Sequence, residues 1–88
     1  MAQMLGTRSA TERLENLLVF LATVYGLKEG NNIVIAASFT HADLASLIGS
    51  TRQWVTVQLA RLQDRGVVRY NRGMIIICDP AALALNNA

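Results

Sequence analysis

Apolar residues along this chain alternate between a helical and an extended rhythm. Leu14, Leu17, Leu18, Leu21 and Val24 recur at helical spacing. Just ahead, "SATE" places Ser9 three residues before Glu12, the pattern of a reciprocal N-terminal capping box. A first helix is therefore expected over 10–25, stopping near Gly26. "KEGNN" then reads as a turn, and the short β-branched run "IVIAA" as a strand over 33–37. A second helix is expected after Thr40, with Asp43 near its positive end and Leu44, Leu47 and Ile48 as its apolar stripe. Gly49 stops it. "STRQ" offers another capping box, Ser50 with Gln53, and opens a helix over about 51–65 that Gly66 ends in a left-handed cap.

After that helix come "VVRY", "NRG" and "MIIIC", two apolar runs around a short turn containing Gly73, which read as a β-hairpin. Asp79-Pro80 then supplies an N-cap and a proline at the first helical position, so "AALAL" is expected as a short last helix. The small Ala45 lies four residues before Gly49, as two steeply crossing helices require. The expected fold is α+β: a winged helix-turn-helix, three core helices plus a hairpin wing. Residues 9–88 make that domain, and residues 1–8, without periodicity, read as a hinge or linker remnant.

The helix after Gly49 carries the candidate chemistry. At 100° per residue, Val55, Leu59 and Leu62 share the inward face. Arg52, Gln53, Thr56 and Val57 are left on the front of the first two turns. A DNA major groove admits one helix. There Arg52 suits guanine O6 and N7, Gln53 suits adenine N6 and N7, and Val57 suits a thymine methyl. Thr56 and Ala60 are small enough to let the helix sink in. The helix amino end also directs amides and partial positive charge at phosphate.

Charge sharpens this picture. The net charge is only +2, but residues 49–73 hold five arginines, Arg52, Arg61, Arg65, Arg69 and Arg72, against the single acid Asp64. Residues 1–48 carry three basic residues against four acids. Arginine's planar donor fork fits phosphate and guanine edges, so an anionic partner is expected at that end. Arg69 and Arg72 flank the hairpin turn and are candidate phosphate contacts.

Other features narrow the class. The 88 residues allow one small domain with a modest core. The lone Cys78 has no partner for an internal disulfide, which fits a reducing cytoplasm; its place in an apolar strand suggests a small core residue. The apolar runs are far short of a membrane span, and the first residues lack the apolar segment of a signal peptide. His41 has no second histidine nearby, so no metal is expected. Trp54 is expected to pack over the hairpin or the first helix. With no Ser-His-Asp set, paired carboxylates or phosphate-cradling glycine loop, no enzyme or cofactor is expected.

The stretches "RSATERLENLLVFLA", "FTHADLASLIGSTRQWVTVQLARLQDRGVV" and "IIICDPAAL" together resemble the C-terminal winged-helix domain of Crp/Fnr-type transcription regulators, from about Gly6 to Leu85. The resemblance implies sequence-specific binding of double-stranded DNA at a palindromic operator. It places Arg52 and Gln53 at the family's first two base-reading positions, and Thr40, His41, Ser50 and Thr51 near phosphates. Val57 stands where many members have a base-contacting arginine, and Trp54 where threonine is common, so the half-site is not assumed from better-known members. The resemblance also implies a homodimer when an N-terminal sensor and dimer helix are present, and a surface around 28–32 that touches RNA polymerase in some members. The rival expectation is a protein-interaction module docking a partner through Val57 and Ala60; a salt titration on random duplex DNA separates the two.

Overall fold

A computed structural model describes residues 9–84; the expected hinge at 1–8 lies outside the described residues. The elements run α1 (Ala10–Tyr25), β1 (Gly26–Glu29), β2 (Asn32–Ile35), α2 (His41–Ile48), α3 (Arg52–Asp64), β3 (Val68–Asn71), β4 (Met74–Ile77) and α4 (Pro80–Ala84). The fold is the expected α+β one, with a larger sheet than the two-stranded wing anticipated. Four antiparallel strands lie in the order β1-β2-β4-β3. Ile33 pairs with Ile77 and Val34 with Ile76, which joins the wing hairpin to the hairpin that follows α1.

Local chemistry accounts for most element ends. The Ser9 hydroxyl accepts from the Glu12 amide at 3.2 Å, and the Glu12 carboxylate accepts from the Ser9 amide at 3.1 Å. Thr40 and Asp43 form the same reciprocal box at 2.9 and 3.0 Å. Gly49 is left-handed at φ 70°, and the Ser50 amide donates back to the Ala45 carbonyl at 2.8 Å, turning the chain sharply into α3. Gly66, at φ 74°, repeats this device after α3, with the Val67 amide donating to the Leu62 carbonyl at 2.9 Å.

The strand after α1 is an addition to the expected elements, and its start explains Gly26. That residue is extended, at φ −75° and ψ 138°, instead of forming a left-handed cap. A Cβ there would lie 2.0 Å from the Ala22 carbonyl oxygen and 2.7 Å from Ile33 Cγ2. Glycine is therefore required by close approach. The second strand covers 32–35 instead of 33–37, because it ends where its pairing with β1 ends, at Ile35 opposite Gly26.

One core joins all the layers: Leu14, Leu18 and Leu21 of α1, Leu44, Ala45 and Ile48 of α2, Val55, Leu59 and Leu62 of α3, and Ile75 and Ile77 of β4. Two expected stripe residues lie outside it. Val24 is exposed because a 3.6-residue repeat carries it about 120° from Leu18 and toward the exposed Phe20. Leu47 is exposed beside Ser46, while Leu44 and Ile48, four apart, take the inward face. Cys78 follows β4 and is half-buried, its thiol 3.8 Å from the Ile76 carbonyl oxygen.

Candidate nucleic-acid interface

The inward face of α3 is anchored by Val55, Leu59 and Leu62, all nearly inaccessible. That anchoring fixes the helix rotation and leaves Arg52, Gln53, Thr56, Val57 and Ala60 exposed. Val57 keeps 49% of its surface. Trp54 is half-buried against the core. The helix N-cap is Thr51, one residue later than expected: its hydroxyl accepts from the Trp54 amide at 3.1 Å. Ser50 belongs to the preceding turn, where its amide donates to the Ala45 carbonyl. No acidic residue occupies the first turn of α3, so its positive end stays uncompensated.

The caps leave donors to spare. A hydroxyl has one proton and two lone pairs. Thr40 and Thr51 each use a lone pair to cap a helix, and both residues are exposed. Each retains an O–H that can donate to a phosphate oxygen. Thr40 lies just before α2 and Thr51 just before α3, so these donors belong to the two helix amino ends.

The wing turns on Arg72 and Gly73, both with positive φ, 54° and 78°. Two left-handed residues between paired Asn71 and Met74 make the tight hairpin whose twist matches its strands. Asparagine or glycine would occupy position 72 at less cost. An exposed arginine there sets a charge at the wing tip against local backbone preference. Arg69, also exposed, lies three residues back on β3.

A polar chain connects these parts. His41 Nδ1 lies 2.7 Å from Thr56 Oγ1, and His41 Nε2 lies 3.3 Å from the Tyr70 hydroxyl. Thr56 Oγ1 donates to the Arg52 carbonyl at 3.0 Å. His41 is in the first turn of α2, Thr56 on the front of α3 and Tyr70 on the wing. The two rings are 5.9 Å apart between centroids. Burial pushes the Tyr70 phenol up to about 12, so its hydroxyl keeps its proton. Tyr70 was not among the residues expected from sequence; it lies 29 positions from His41, beyond any helical or strand period.

Arg61 and Arg65 belong elsewhere. They line a cleft between α1 and α3 with Thr11, Glu15 and Gln58. Glu15 is 6% exposed. Its burial raises the carboxyl above the ordinary 4.5, the Arg65 guanidinium draws it back, and Glu12 raises it further. Of the five arginines clustered in sequence, Arg52, Arg69 and Arg72 lie on α3's amino end and the wing. Among the described residues, no group of three or more His, Cys, Asp or Glu can hold a metal ion. No helix among them is long and apolar enough to cross a membrane.

Residues 12–85 match the family model of the Crp-like helix-turn-helix domain. A protein of Porphyra purpurea, named as an HTH-type transcriptional regulator, is 32% identical over 82 residues, 93% of this chain and 35% of its own length. The global nitrogen regulator of Synechococcus elongatus is 30% identical over 84 residues, 96% of this chain and 38% of its own length. The CO-dependent transcription factor CooA from Carboxydothermus hydrogenoformans superposes with a TM-score of 0.81 at 28% identity, over 91% of this chain and 37% of that one. The chain thus spans little more than a third of the length of the relatives it matches.

Proposed function

The chain belongs to the Crp-like helix-turn-helix family, whose fold is that of a DNA-binding domain of transcription regulators, and from that premise we propose that it reads base sequence through the first two turns of α3. The observation that carries this reading is the exposure of Arg52 and Gln53 at the uncompensated amino end of a helix whose opposite face is locked into the core. In the groove, Arg52 donates its fork to guanine O6 and N7. Gln53 pairs bidentately with adenine, and Val57 packs on a thymine methyl. Thr56 lies between them on the same front.

Phosphate contacts frame the base readers. Thr40, Ser50 and Thr51 supply hydroxyls and helix amino ends on one side, with His41 at the start of α2 beside them. Arg69 and Arg72 brace the wing on the backbone, where they act as point charges without regard to sequence. Family relatives are regulators rather than enzymes, and the apolar docking reading of Val57 and Ala60 is not favoured by that membership. The wider setting of this proposal is a cytoplasmic regulator that, with sensor and dimer helix attached, binds a palindromic operator as a homodimer and meets RNA polymerase near 28–32. Two copies would then place their α3 helices about 34 Å apart, one DNA turn.

Selection of duplexes from a random pool by an artificially dimerised form of the chain tests the reading. The expected product is an inverted repeat with half-sites about one turn apart, lost steeply as salt rises. A pool that emerges without any enriched motif would remove base reading from α3.

A further inference from the structure

We propose that Tyr70, His41 and Thr56 form a one-way hydrogen-bond relay that sets the spacing between the wing and the base-reading helix, so that His41 and Tyr70 are positioning residues for sequence discrimination. The inference rests on the DNA-reading function above and adds to it a determinant on neither the helix tip nor the wing tip.

Proton counting gives the direction. The Thr56 hydroxyl has one proton, and it is committed to the Arg52 carbonyl. At 2.7 Å from His41 Nδ1, Thr56 Oγ1 must then accept, so Nδ1 carries the imidazole proton. Where Nδ1 carries the ring's single proton, Nε2 is a lone pair and the Tyr70 O–H, 3.3 Å away, donates to it. With the Thr56 proton on the Arg52 carbonyl and one proton on the ring, the chain runs in a single direction from Tyr70 through His41 and Thr56 to that carbonyl. The ring is held in the Nδ1–H form by Thr56.

The mechanical consequence follows from where the three residues reside. Phosphate gripped by Arg72 and a base read by Arg52 sit on different elements. Discrimination needs both contacts at once, at the separation the duplex imposes. His41, rooted in the first turn of α2, holds α3 through Thr56 and the wing through Tyr70. The Thr56 hydroxyl is occupied within the protein, so its contribution to the interface is to fix Arg52's turn of helix. Both ring nitrogens of His41 are likewise occupied, so a phosphate contact by His41 would have to break one of these links.

Two measurements test this on the 88-residue chain. His41 is the one histidine in the sequence, so its two ring nitrogens give unambiguous two-bond proton–nitrogen correlations. In mildly alkaline buffer without DNA, the Nδ1–H form is expected to dominate. Thr56→Val should raise the Nε2–H population, and Thr56→Ser should restore the wild-type ratio. The second measurement compares affinity for a duplex selected by the wild-type chain with affinity for a scrambled duplex. Tyr70→Phe should weaken the selected duplex about threefold to tenfold, the worth of one hydrogen bond, and leave the scrambled duplex within about twofold. His41→Ala combined with Tyr70→Phe should cost no more than His41→Ala alone. A dominant Nε2–H form in the wild type would overturn the relay. Equal weakening on both duplexes by Tyr70→Phe, or none, would overturn the positioning role. A wild-type chain with the expected ring form but no preference for any duplex would overturn the underlying base reading, and this inference with it.

Discussion

The Nε of Arg13 lies 3.1 Å from the carbonyl oxygen of Ile48. Ile48 is the last residue of α2, so its carbonyl has no partner further along that helix. Arg13, one turn into α1, satisfies it and brings positive charge to the negative helix end. The contact ties the first helix to the point where the chain turns into α3. An arginine that sequence alone adds to the charge count is therefore part of the scaffold.

Replacing Arg13 with methionine keeps most of the aliphatic stem and removes the donor. A hydrogen bond from a charged group contributes about 1.5–3 kcal/mol, and water can partly replace it at this half-buried site, so a loss of about 1–2 kcal/mol is expected. Urea unfolding should show a lower midpoint with an unchanged slope. An unchanged midpoint would mean that the Ile48 carbonyl is as well served by water.

Arg72 opposes stability to charge at one position. Its left-handed backbone costs on the order of 1 kcal/mol, which asparagine or glycine largely avoids. Arg72→Asn should raise stability by about that amount while weakening every duplex alike. The slope of log affinity against log salt should become shallower by about one unit. A variant that is more stable but binds with an unchanged slope would take the wing tip out of the interface.

Glu15 gives the fold a pH dependence of definite sign. Its carboxyl is raised above 4.5 by burial, so the folded chain holds that proton more tightly than the unfolded one. In the window from 4.5 up to the raised folded value, the native state binds more protons. This group's contribution is thus fully present in acid and is lost as pH rises through that window. Comparing urea midpoints of wild type and Glu15→Gln across the same range isolates it. The variant's advantage should grow with pH; a constant difference would show that Glu15 titrates alike in both states.

Much of this architecture is legible in the residues themselves, because it depends on local chemistry. Ser9 with Glu12 and Thr40 with Asp43 mark helix starts by spacing alone, and both boxes are present. Gly49 and the Val55, Leu59, Leu62 stripe define a turn and a buried face without tertiary knowledge. Strand β1, "GLKE", carries no such signal: its side chains are mostly exposed, and its conformation comes from pairing with β2. At Ser50 and Thr51 either hydroxyl suits an N-cap by spacing; the Gly49 turn takes in Ser50, and Thr51 caps the helix. The candidate interface divides in the same way. Exposure of Arg52, Gln53 and Val57 follows from helical geometry. The contact of Tyr70 with His41, and the placing of Arg61 and Arg65 along the cleft that Glu15 lines, depend on which elements become neighbours in space.

Base reading at this interface depends first on Arg52. Its most direct test is the affinity of wild type and Arg52→Ala for the selected duplex and for versions altered at each half-site position in turn. A loss of about 1–3 kcal/mol is expected on the selected duplex, with discrimination relaxed at one base pair and kept at the others. Equal weakening across all the duplexes, with every preference intact, would contradict it and reduce Arg52 to a phosphate contact.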